Sequence, residues 1–203
     1  MADPSERSFS DPNEEIMSAT HRALQKHGYA DLTIKRIAEE YGKSTAAIHY
    51  YYDTKEELLA AFLDYLLERF VASVRDVETT DPEERLELLL DRLLANPEEH
   101  RDLSVAMLEM RSQAPHNETF DERFRQNDEY LRYMLKAVIN HGIDEGTFED
   151  VDADHVTRAL MTIVDGARTR AVVLDETEAL EAARRTADEY VDAILMGNRD
   201  ARE

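Results

Sequence analysis

Side-chain chemistry has few places to occur in this sequence. The seven histidines, His21, His27, His49, His100, His116, His141 and His155, form neither an HxxxH nor an HExxH pair, and no glycine-rich phosphate loop occurs. The chain has no cysteine, which removes disulfides and thiolate metal sites. Neighbouring acids such as Glu98 and Glu99 are what frequency produces in a chain with 45 acidic residues. Catalysis is therefore not expected, and neither a metal nor a cofactor is implied. What stands out is a short run of hydrogen-bond donors set among small residues: Lys43, Thr45, His49, Tyr50 and Lys55. Donors so placed suit the base edges and phosphates of a nucleic acid.

The elements that must position these donors lie in residues 33–55, TIKRIAEEYGKSTAAIHYYYDTK. Thr33 is a capping residue for a first short helix whose apolar side is Ile34, Ile37 and Ala38. Gly42 supplies a turn, and Ser44 is placed to cap a second helix carrying Thr45, Ala46, Ala47, Ile48, His49 and Tyr50. That second helix has one main apolar anchor, Ile48, and is too short to be a core helix. The pattern is a helix-turn-helix whose second helix enters a DNA major groove. Thr45 by its hydroxyl and Ala46 by its methyl are expected at base edges. Thr33 has two roles open to it, helix cap and phosphate contact beside a helix N-terminus. Lys55 opens the next helix, where its charge and the first free amides favour a phosphate. Ile34, Ile37, Ile48 and Tyr52 are expected in the core of the head.

The formal charge is −21, from 45 acidic against 24 basic residues. Taken alone this argues against nucleic acid. Its distribution argues otherwise, because residues 21–55 hold six basic side chains and four acidic ones, and four of the five lysines fall there. The acidic remainder is of the kind found in proteins of salt-loving organisms, where near-molar salt screens long-range attraction and affinity rests on short contacts. The sequence contains no apolar run near 18 residues, so no membrane span is expected. The opening MADPSERSFSDPNEE is unlike a signal peptide, and a cytoplasmic protein is expected.

An all-α fold of about nine helices follows from the periodicity. Residues 1–11 read as disordered or loosely attached, the first helix as Pro12 to His27, and the fourth as Lys55 to about Val77. The fifth starts at Pro82. The sixth runs from about Glu98 to Ser112 and the seventh from about Glu118 to His141, with Gly142 as its stop. After a loop the eighth runs from about Ala153 to Leu174 and the ninth from about Glu176 to Met196. The organisation expected is a three-helix helix-turn-helix head, residues 12–55, on a larger helical body for ligand binding and dimerisation, residues 56–197. The two long final helices carry wide apolar faces that must be buried, which supports a homodimer.

Residues 14–66 resemble the N-terminal domain of the TetR family of transcriptional repressors. The resemblance is carried by Gly28-Tyr29, Leu32-Thr33, Ile37-Ala38, Gly42, Ser44, Ile48-His49, Tyr50-Tyr51-Tyr52, Lys55-Glu56 and Leu58. The later part is similar to the family's choline- and multidrug-responsive branches. The resemblance implies a homodimer joined through residues 153–196, a third helix in each major groove of a palindromic double-stranded DNA site, and a small-molecule effector in the body that shifts the spacing of the two heads.

It also places further residues. Lys43 stands where the family commonly has a small apolar residue; it either reaches a base or phosphate or is simply solvated. His49 stands where the family usually has a phosphate-contacting Tyr; it either replaces that contact or is a surface residue at a helix end. Tyr50 is the next phosphate candidate. Met107, Met110, Phe120, Phe124, Tyr130 and Met134 lie on helices six and seven, where the family keeps its pocket, and each is otherwise ordinary core. Arg111, Asp165, Arg168 and Arg170 either orient a ligand or belong to a surface ion network, and Arg168 is the ligand candidate taken forward. The reading is thus a ligand-responsive repressor; the alternative is a helical small-molecule-sensing or protein-interaction dimer with weak or no DNA binding.

Overall fold

A computed structural model describes residues 11–75, 77, 79–95, 101–176 and 178–197. Among the described residues the fold is all-α. The helices are α1 (Pro12–His27), α2 (Ile34–Tyr41), α3 (Thr45–His49), α4 (Lys55–Arg75), α5 (Pro82–Leu93), α6 (Arg101–Gln113), α7 (Glu118–Asp144), α8 (Ala153–Val173) and α9 (Glu178–Ile194), with a short 3-10 turn at Ala114–His116. Residues 1–10, and the expected start of the sixth helix at Glu98, lie outside the described residues.

Helix starts are fixed by side-chain caps. The Asp11 carboxylate accepts from the Asn13 amide at 3.0 Å, with Pro12 in the first turn, so residue 11 is bound to α1 rather than loose. Asp81 caps α5 through the Glu83 amide, and Asp152 caps α8 through the amides of Asp154 and His155. Thr54 accepts from the Glu57 amide while the Glu57 carboxylate accepts from the Asp53 amide, a reciprocal lock on the start of α4. Each such cap is worth about 1 kcal/mol.

Helix ends correct one expectation. Gly142 does not stop α7; the helix runs through it to Asp144 and ends at Gly146, which has φ +74°. There the Thr147 amide donates to Gly142 O and the Gly146 amide to Ile143 O, satisfying the last carbonyls. The absent side chain at Gly142 has another use, since a Cβ there would lie 2.0 Å from the Phe148 ring. Phe148, 4 % exposed, thereby packs against Gly142 near the end of α7. The fourth helix ends at Arg75, and Val77 sits beyond it as an exposed residue.

The chain divides into two compact units. One comprises the described residues of Met1–Tyr65 and Asp102–Arg123, the other those of Leu66–Arg101 and Phe124–Glu203. In the first, α1 packs on α2 and α2 on α3, around Ile16, Leu24, Ile37, Ile48, Leu58 and Phe62, all fully buried. Leu32 is buried, whereas Ile34 and Tyr52, expected in the core, are only part-buried, and the Tyr52 hydroxyl donates to Asn13 of α1. In the second, α8 packs on α9 and α9 on α5. Val156, Leu160, Val164, Ala167 and Ala171 of α8 and Leu180, Ala183, Ala187 and Val191 of α9 are buried within that unit. The apolar stripes of the last two helices are therefore largely used inside one chain. The Glu149 amide donates to Leu195 O at 2.7 Å, tying the segment after α7 to the end of α9.

Candidate nucleic-acid interface

The turn before α3 is closed by backbone alone. Gly42, at φ +73°, donates to Glu39 O, and the Lys43 amide donates to Ala38 O, both at 3.3 Å. A Cβ at Gly42 would be strained in this left-handed conformation. Ser44 precedes α3 in an extended conformation but makes no side-chain cap bond, contrary to expectation. Thr33 does cap α2, accepting from the Arg36 amide at 3.2 Å.

On α3, Thr45 and Ala46 are exposed, Ala47 is half-buried and Ile48 is fully buried. One anchor thus fixes the helix while its N-terminal face is presented to solvent. Tyr50 is 81 % exposed and meets Tyr51 edge-on, ring centroids 5.0 Å apart. The exposed His49 places Nδ1 3.2 Å from Tyr52 O. A carbonyl only accepts, so Nδ1 is the donor in this contact.

The cations of the head are engaged. Lys43 Nζ lies 3.0 Å from the Glu15 carboxylate and 2.9 Å from the Tyr41 hydroxyl, above the Tyr41 ring. These two partners, Tyr41 first, raise its pKa. Lys26 donates to Glu40 at 2.9 Å, and this bond raises the lysine's pKa and depresses the carboxyl's. Arg22 shares Glu40, and Arg36 reaches the Asp31 carbonyl. Lys55 Nζ is 3.4 Å from Leu32 O and lies over the Tyr29 ring. Burial raises the Tyr29 phenol pKa, with Glu56 and Glu109 adding to it. Lys35, passed over in the sequence, is 81 % exposed on the first turn of α2 with only a 4.0 Å approach to Glu39. Its place two residues past the Thr33 cap is the signal in the sequence.

The expected effector residues are divided between the two units. In the first unit Met110 and Phe120 are fully buried, with Tyr29 and Phe120 rings 6.5 Å apart, and Met107 is half-buried. In the second, Phe124 is half-buried, Tyr130 borders a shallow groove with Leu67, Val71 and Arg75, and Met134 lines a different groove. Arg168 donates to Leu93 O at 2.9 Å, serving the carbonyl end of α5, and Arg170 donates to the Glu176 carboxylate through Nε and Nη2. No group of three or more His, Asp or Glu side chains among the described residues could hold a metal.

Residues 82–196 match the family described as BetI-type transcriptional repressor, C-terminal, and residues 16–62 match that of bacterial regulatory proteins, tetR family. The chain belongs to the TetR family. This TetR-family protein is 77 % identical to a TetR transcription regulator from Haloarcula marismortui of known crystal structure, over 92 % of this chain and all of that one, with a TM-score of 0.86. It is 27 % identical to the HTH-type transcriptional repressor AcnR of Corynebacterium glutamicum, over 82 % of this chain and 85 % of the repressor. A transcriptional regulator from Saccharomonospora viridis solved with choline shares the fold at 23 % identity and a TM-score of 0.74, over 90 % of this chain and 96 % of that one. The TetR-family protein is accordingly a transcriptional regulator and not an enzyme. Its acidic composition accords with its closeness to a halophilic archaeal relative. No described helix is long and apolar enough to cross a membrane.

Proposed function

We propose that this regulator is a repressor that binds a palindromic site in double-stranded DNA as a homodimer and leaves it when an effector binds. The observation that carries the reading is α3: Thr45 and Ala46 exposed over the fully buried Ile48, flanked by the exposed Tyr50. Residues 12–55 act as the DNA-binding head and 56–197 as the effector and dimerisation body. Thr45, Ala46 and Lys43 face base edges, and Thr33, His49, Tyr50 and Lys55 face phosphates. Lys43 and Lys55 exchange their internal partners for DNA. The dimer forms through residues 153–196. With the apolar stripes of α8 and α9 used within the chain, its contact surface is the outward small side chains Thr162, Gly166 and Thr169 of α8 and Ala182, Thr186 and Ala193 of α9, which let helices approach closely. The effector acts by population shift, favouring a head spacing that no longer matches the operator.

The engaged cations favour a second reading, a helical sensor dimer with weak or no DNA binding. One experiment separates them: selection from random duplexes at about 2 M KCl, where long-range attraction is screened. Enrichment of one palindrome, lost on replacing Tyr50 and Lys55, supports the repressor. Failure of a folded dimer to enrich any sequence removes it.

A further inference from the structure

Lys55 is seated differently from the other lysines of the head. Lys26, Lys35 and Lys43 reach carboxylates from exposed positions, whereas Lys55 is half-buried and rests on one turn of the chain. Its Nζ lies 3.4 Å from Leu32 O and 5.0 Å from the centre of the Tyr29 ring. Both partners belong to the turn between α1 and α2, which the Leu32 amide closes on Tyr29 O at 3.1 Å. Leu32 is buried and anchors that turn.

The Tyr29 ring is itself met from a distant part of the sequence. The fully buried Phe120 has its ring centre 6.5 Å away at 59° to it, and the Phe120 amide donates to the Asn117 side chain at the start of α7. Asp102–Arg123, which includes this start, belongs to the same compact unit as the head, and there Arg123 pairs with Asp64 of α4 at 2.7 Å. An ammonium over a ring face is attracted by the π electrons at short range, an attraction that salt screens little. A free lysine stem has many rotamers, and fixing them opposes the binding of a phosphate. A stem already resting on a ring has lost part of that freedom beforehand.

We propose that Tyr29 and Phe120 are positioning residues for the contact of Lys55 with a phosphate. Phe120 sets the Tyr29 ring, the ring keeps the Lys55 stem at the start of α4, and the ammonium gives up Leu32 O when it takes the phosphate. The proposal rests on the reading that Lys55 faces the DNA backbone. It makes the first turn of α7 part of the DNA-binding machinery although that turn touches no DNA.

Two readouts test it in the full chain at about 2 M KCl. The first uses no DNA. The ring current of Tyr29 moves the ε-methylene protons of Lys55 upfield, seen by nuclear magnetic resonance of lysine-labelled protein, with Lys55→Met assigning the signal. Tyr29→Leu abolishes the shift, Tyr29→Phe keeps it and Phe120→Leu reduces it. The second is affinity for the duplex recovered by selection. Tyr29→Leu weakens binding about two- to fivefold, Phe120→Leu weakens it less, and Tyr29→Phe leaves it unchanged. In the Lys55→Met background neither leucine variant has a further effect, whereas general damage to the head would act alike in both backgrounds. Circular dichroism checks the fold of each variant. A Lys55 signal without the shift, or equal losses with and without Lys55, overturns the proposal and leaves the repressor reading standing. A folded dimer that enriches no duplex, or Lys55→Met without effect on affinity, removes the phosphate contact itself and the proposal with it.

Discussion

The ammonium of Lys43 lies 3.0 Å from the carboxylate of Glu15, on the helix-turn-helix side of one and the first turn of α1 on the other. A cation expected at DNA is thus already held by an anion of its own chain. Glu15→Gln releases it at little structural cost, because exposed pairs are weak. DNA affinity rises about two- to fivefold, read by fluorescence anisotropy. Unchanged affinity would show that Lys43 stays off the DNA.

Thr45 and Ile48 sit three residues apart on α3 and separate readout from scaffold. Thr45→Val keeps the melting temperature and relaxes base preference by about 1–3 kcal/mol at one operator position. Ile48→Ala opens a cavity in the head, costs about 2–5 kcal/mol and weakens every DNA sequence alike. Competition binding with operator variants, run beside thermal melts, distinguishes the two.

Gly142 accommodates Phe148 by having no side chain. Gly142→Ala forces the ring to shift and destabilises by about 1–3 kcal/mol in denaturant unfolding. In the Phe148→Ala background the same change costs far less, a coupling that additive effects would exclude.

Lys136 and Asp154 pair at 2.7 Å, and the hydrogen bond from Lys136 holds the Asp154 carboxyl below its usual pKa, with further help from Arg158 and Arg132. A depressed carboxyl pKa adds stability above the unfolded value, near 4, and that stability is lost as pH falls through the folded one. Lys136→Met is therefore less stable than the parent at neutral pH, and the two converge in acid. Parallel curves down to the lowest pH would assign the loss to packing.

Local rules carried much of the fold. The Pro12 start and Gly28 end of α1, the Thr33 cap and the Ile37 and Ile48 anchors all depend on neighbours within a turn or two, and periodicity reports such neighbours. Gly142 shows where this fails: a glycine in a polar stretch reads as a stop, yet its partner is a ring six residues on, which only the folded return of the chain supplies. Arg168 fails at longer range, because the carbonyl it serves is 75 residues away.

Five of the six cations in residues 21–55 have a carboxylate of the chain within 4.0 Å: Arg22, Lys26, Lys35, Arg36 and Lys43. Each carries a tethered counterion. A free cationic surface binding DNA liberates salt ions from the duplex, and that mixing entropy vanishes as the solution fills with salt. Here part of what is liberated is a carboxylate that cannot diffuse away, so the logarithm of affinity falls with the logarithm of salt by less than the number of phosphates touched. The head sacrifices affinity in dilute solution and retains it in brine.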